Sequence, residues 1–278
     1  MSDEILKALM QLFAIISRPE GNASDRRMVV ESFLQRHLNQ ELVALYLKVF
    51  DEYYRQVVEE DAKVAKKERL LSRRSVRVLK ICTTINEELA QPQKVIVLFQ
   101  LLEFIKSERQ EVTRQEMEFI STVADTFHIP QDDFKLIRSF VLSDGVLDNK
   151  PEFLIVNNQQ QQPRRKRIKH LYRENLLGEI HIIYIHSTNL YFVKYVGQAE
   201  LYMNGQLLEP YKTYPLNTGS SLRNQQIEPL YYSDLVSLFV GDKVKSKIVF
   251  RANQITHTLE AAPPAFTKSV SQNDREGW

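Results

Sequence analysis

Two acidic turns hold residues that could gather around a cation: Glu20 with Asp25, and Glu108 and Glu111 with Glu116. A hard divalent ion needs several oxygen ligands converging on one loop, and carboxylates are its preferred donors. The same acids, standing near helix N-termini, could instead meet the positive end of a helix dipole. A second chemistry is offered by the basic run Arg164, Arg165, Lys166, Arg167 and Lys169, which could contact phosphates of a nucleic acid or a membrane surface. Against a general polyanion binder, 37 basic and 35 acidic residues leave a net charge of only +2, and no base-reading motif accompanies the run.

Catalytic patterns are missing. Neither G-x-x-x-x-G-K-[ST] nor G-x-G-x-x-G occurs, and H-E-x-x-H and paired C-x-x-C are absent too. Cys82 is the one cysteine and sits on an apolar helical stripe, as a small core residue would. No spaced carboxylate or nucleophile completes a triad with His181 or His186, and His37 and His128 fall near helix ends. The expectation is a protein that is not an enzyme.

Helices must position the acidic turns. Ile5, Leu9, Leu12, Phe13 and Ile16 recur at helical spacing. After Pro19-Glu20-Gly21-Asn22, Ser24 can cap a helix carrying Met28, Phe33, Leu34 and Leu38. Asn39 can cap the next, with an expected apolar face of Leu42, Leu45, Val49 and Tyr53. The basic stretch from Lys66 to Arg74 reads as a solvated bend before the helix of Val78, Ile81, Ile85 and Leu89. Pro92 suits the start of another helix, and Thr113-x-x-Glu116 is a capping-box pattern ahead of Met117, Ile120, Val123 and Phe127. A last helix carries Phe134, Ile137 and Val141 and stops at Asp144-Gly145.

A shift of 89 residues lays Leu9-Met10-Gln11-Leu12-Phe13 on Leu98-Phe99-Gln100-Leu101-Leu102, Ser24 on Thr113 and Met28 on Met117. Matching caps as well as apolar positions favours an internal repeat, about 5–40 and 94–129. The polar run Asn157 to Gln162 and the basic run after it read as a linker. From Glu179 the residues become branched and aromatic, as in strands, and Asn204-Gly205 is a strong hairpin signal. Short strands are also expected near Tyr214 to Leu216, Ser221 to Arg223 and Lys247 to Phe250, with a short helix at Ser233 to Phe239.

The expected fold class is α+β and multidomain. An all-α duplicated bundle covers 1–145, a glutamine-rich and basic linker 146–175, a small mainly-β domain 176–252, and a loose tail 253–278. The acidic start Met1-Ser2-Asp3-Glu4 is unlike a secretory signal, and the apolar stretch Val95 to Ile105 is interrupted by Gln100 and Glu103. A cytoplasmic location is expected.

The repeated helix, acidic turn and capped helix resemble the TerB-like family, whose turn reads D-G-x-[IV]-[ST]-x-x-E and whose acids are associated with metal binding. Here Glu20-Gly21-Asn22-Ala23-Ser24 matches the first part, with Arg27 at the final place. In the second turn Glu116 fills that place, and Arg109 replaces the first acid with Glu108 beside it. The resemblance implies a divalent cation as the cofactor, if any. Leu201 to Leu208, with Leu216-Asn217-Thr218-Gly219-Ser220, resembles the later half of a forkhead-associated domain. That family's Gly-Arg and Ser-x-x-His phosphothreonine motifs are absent, since Ser187 is followed by Thr188, Asn189 and Leu190, so phosphopeptide binding is not carried over.

Together the two parts resemble the N-terminal region of large bacterial ABC-type transport proteins, and Lys247 to Ala252 resembles the opening strand of their ATPase. The resemblance implies an accessory or regulatory module that works by protein contact, with an ABC ATPase or permease as partner and the inner face of the membrane reached through it. A metal-binding stress protein and a membrane-surface or RNA tether are the alternatives.

Overall fold

The computed structural model describes residues 3–17, 23–35, 38–62, 67–107, 112–160 and 167–240. Seven helices come first: α1 (Asp3–Ile16), α2 (Ala23–Gln35), α3 (Gln40–Ala62), α4 (Lys67–Glu88), α5 (Gln91–Ser107), α6 (Arg114–Thr126) and α7 (Gln131–Leu142). The 89-residue shift of the sequence relates α1 and α2 to α5 and α6 in order.

Local chemistry explains three of the helix boundaries. Asn39 accepts from the Leu42 N–H at 3.0 Å and starts α3. The Thr113–Glu116 capping box forms in both directions at the start of α6. At the other end of α6, Ile129 N–H reaches Ala124 O at 3.0 Å and His128 N–H reaches Asp125 O at 3.0 Å. This is a Schellman end with His128 in the left-handed region at φ 55°. Glycine carries no Cβ penalty there, so His128→Gly is expected to raise stability by about 1 kcal/mol, measured by urea denaturation.

Two helical expectations need correction. Lys67 to Arg74 are the opening turns of α4 and not a bend, because Lys and Arg are good helix formers and a charge run reports exposure more than conformation. On α3 the buried residues are Val43, Tyr46, Leu47, Phe50 and Val57, whereas Leu42 and Leu45 stand exposed at 39% and 52%. Of the expected face Val49 and Tyr53 do pack against the core, while packing against α1 and α2 centres the buried stripe on Val43, Tyr46, Leu47 and Phe50 and leaves Leu42 and Leu45 outside it.

The β part begins earlier than expected. A five-stranded sheet has the order β2-β1-β3-β4-β7, with β1 (Phe153–Asn157), β2 (Lys169–Tyr172), β3 (Glu179–Ile185), β4 (Leu190–Val196) and β7 (Thr213–Leu216). A four-stranded sheet has the order β6-β5-β8-β9, with β5 (Tyr202–Met203), β6 (Gln206–Leu207), β8 (Ser221–Arg223) and β9 (Leu230–Tyr231), followed by α8 (Tyr232–Val240). Asn204 and Gly205 close the β5–β6 hairpin with φ of 53° and 85°, as a type I′ turn requires.

The segment 146–175 is therefore not a linker. It supplies β1, next to the middle of the sheet, and β2, its parallel neighbour. Parallel neighbours need a long crossover between them, and the glutamine-rich stretch lies in that connection, residues 161–166 of it outside the described ones. Every residue of β1 is buried, and Phe153 to Val156 read as an unbroken apolar run without alternation.

The five-stranded sheet is covered on both sides. Phe153, Ile155, Ile183, Ile185 and Phe192 join the helical core, while Leu154, Val156, Ile180, Ile182 and Val193 pack towards the smaller sheet and α8. Phe99 of α5 stacks on Phe192 of β4 with ring centroids 3.6 Å apart, and Phe140 of α7 lies parallel to Phe153 of β1 at 6.1 Å. Helices and sheet thus share one core within a single compact unit, residues 1–241, in place of separate helical and β domains. The architecture is α+β. Among the described residues no helix is long and apolar enough to cross a membrane. The expected strand at 247–250 and the tail 253–278 lie outside the described residues.

Candidate functional site

The structure brings together a group of charged residues at the seam between helices and sheet. The last carbonyls of α7 have no partner within their own helix, and two lysines reach them. Lys194 Nζ, on β4, donates to Phe140 O, to Val141 O at 3.1 Å and to Ser143 O at 3.2 Å. Lys106 Nζ, near the end of α5, donates to Val141 O at 3.0 Å and Ser143 O at 3.4 Å, and pairs with the Asp144 carboxylate at 3.3 Å. One turn back on α5, Glu103 Oε1 accepts the Thr213 N–H of β7 at 3.0 Å.

Lys194 is fully buried. Burial and the like charge of Lys106 bring its ammonium down to about 7, with Glu103 and Asp144 opposing the shift. The three carbonyls at the negative end of α7 also favour the charged form. Burial likewise raises the Glu103 carboxyl above its ordinary value, against the Thr213 hydrogen bond and the charges of Lys194 and Lys106.

The polar group continues across the sheet. In register, Thr213, Lys194, His181, Ile155 and His170 stand side by side on β7, β4, β3, β1 and β2. His181 Nε2 lies 2.7 Å from Glu179 Oε2. Asn157 Nδ2 donates to Glu179 Oε1 at 2.9 Å, and Asn157 Oδ1 accepts from His170 Nε2 at 2.9 Å and from the Gln159 N–H at 3.0 Å. His181 and Lys194 have no exposed surface through which a substrate could reach them. Chemically the group can fasten two layers together.

The residues singled out in the sequence fall elsewhere. Glu20, Glu108 and Glu111 lie outside the described residues, and Asp25 falls within α2 with its side chain outside the description. Glu116 is buried, and its Oε2 accepts the Thr113 N–H at 2.7 Å and the Thr113 hydroxyl at 2.8 Å. Its carboxylate thus serves its own helix start. Among the described residues no three His, Cys, Asp or Glu side chains cluster as a cation would need. Arg164, Arg165 and Lys166 also lie outside the described residues. The Arg167 N–H is held by Asn149 Oδ1 at 2.9 Å, and the Lys169 ammonium lies 5.9 Å from the ring centroid of Phe239. Cys82 is buried, and burial pushes its thiol up to about 12, which leaves little thiolate for reaction.

The seam was missed because its members are scattered in sequence, although each carries a signal. Lys194 interrupts the apolar strand Leu190-Tyr191-Phe192-Val193-Lys194-Tyr195-Val196 at an inward position, and Glu103 and Lys106 interrupt an apolar helix. Comparison of the chain with known protein families, with curated proteins and with solved structures gives no match.

Proposed function

We propose that this chain is a non-catalytic accessory or regulatory module of an ABC-type transport system, acting by protein contact with an ATPase or permease at the inner face of the membrane. In this reading the helical layer is of the TerB-like kind and the β layer a forkhead-associated-like adaptor without phosphopeptide recognition. The observation that carries the contact role is the outer face of α3, where Leu42 and Leu45, one turn apart, stay exposed although α3 packs on α1 and α2. Large apolar side chains left in water side by side favour association with a partner. The shared core of helices and sheet supports the role as well, since a docked surface on α3 then moves with the whole body.

An affinity pull-down from the native cell with the Leu42→Ser, Leu45→Ser double variant as control tests the reading. Recovery of an ABC ATPase or permease by the wild type and not by the variant is expected. Repeated recovery of neither protein would end it.

A further inference from the structure

A cleft of about 670 Å³ opens between α1, α3 and α4, within the roughly 300–1,000 Å³ range of small-molecule sites. Both α3 and α4 pack on α1, which floors the space between them. The floor and walls are apolar where they are deepest, with Ile15 and Val57 buried and Ile81 half-buried. Gln11, the one residue between Ile5 and Ser17 besides Lys7 that is not buried, donates to the Tyr53 hydroxyl at 2.8 Å on the same surface.

Among the described residues, Arg77 and Lys80 line this cleft and no Asp or Glu does. They are three residues apart on α4, hence on one face of that helix. Among the described residues Lys80 makes no ion pair; the pairs formed elsewhere involve other cations. Beside it Val76 is 65% exposed on the cleft wall, apolar surface that a ligand would take out of water. An apolar interior edged by two cations is complementary to a molecule with an apolar body and one anionic end.

We propose that the α1–α3–α4 cleft binds an amphipathic anion, an apolar chain ending in a carboxylate, with the chain on Ile15, Val57 and Ile81 and the carboxylate at Lys80. Binding here would stand whether or not a transport partner docks on the outer face of α3. Calorimetry with decanoate, decanol and decyltrimethylammonium, each below its micelle concentration, tests it on the full chain. Lys80→Glu reverses the charge at the mouth, Thr84→Trp fills the cleft from an exposed position, and Lys48→Glu repeats the charge change away from it. Decanoate is expected to bind wild type and Lys48→Glu alike, at least tenfold more weakly to Lys80→Glu, and not to Thr84→Trp, with decanol weaker and the cation weakest. No binding of decanoate to wild type would overturn the proposal. So would equal binding by Lys80→Glu, or by a Thr84→Trp variant whose circular dichroism shows it folded.

Discussion

Replacing Lys194 by methionine is expected to lower stability by about 3 kcal/mol near neutral pH, as when one member of a buried charged group is removed. Methionine keeps most of the stem that packs in the sheet but withdraws the donors from Phe140 O, Val141 O and Ser143 O. It also leaves Lys106 as the one cation that compensates Glu103, beside the Thr213 hydrogen bond. The loss has a pH signature. In the folded protein Lys194 gives up its proton near 7, against an ordinary value of 10.5. Between those values the unfolded chain holds a proton that the folded chain has released, so wild-type stability rises with pH across that window. The slope approaches about 1.4 kcal/mol per pH unit where the two states differ by one proton. The methionine variant lacks this gain, so its deficit widens from pH 7 towards pH 10. Glu103 acts in the opposite sense lower down: its raised carboxyl costs stability as pH climbs from its ordinary 4.5 towards its folded value. Urea unfolding of both proteins from pH 6 to 10 measures the difference. Parallel pH profiles would show that Lys194 does not titrate in the fold.

Phe192→Ala is expected to cost about 3–5 kcal/mol, the range for removing a buried aromatic ring from a packed core. Phe192 is 1% exposed and its ring meets Phe99 of α5 face to face. Because that contact joins sheet to helices, the variant should unfold at a lower temperature in one transition, with the helical circular dichroism and the aromatic signals lost together. Independent helical and β domains would behave otherwise. The β signal would then shift while the helical midpoint stayed in place.

Much of the local structure was legible in the residues. The Thr113–Glu116 box, the Asn39 cap and the Asn204-Gly205 hairpin form as expected, because a cap or a tight turn is specified by side chains within a few positions. What the residues hid depended on distant partners. On α3 both Leu42–Leu45 and Val43–Phe50 are plausible core stripes, and only the placement of α1 and α2 decides between them. Phe153-Leu154-Ile155-Val156 has no period to betray a strand, since both of its faces are covered.

The candidate site was less legible than the fold. The acidic turns and the basic run were conspicuous because they are contiguous in sequence. The seam draws Glu103, Lys106, Asn157, His170, His181 and Lys194 from five elements, and no spacing rule links them. Leu42 and Leu45 of α3 read as core in the sequence and stand exposed in the fold.

The contact role is tested most directly by placing a photo-cross-linking amino acid at Leu45 and irradiating living cells, with the captured peptides sequenced by mass spectrometry. Peptides from the ATPase or permease of an ABC-type system are the predicted result. Efficient cross-linking that yields only peptides unrelated to such a system would contradict the account.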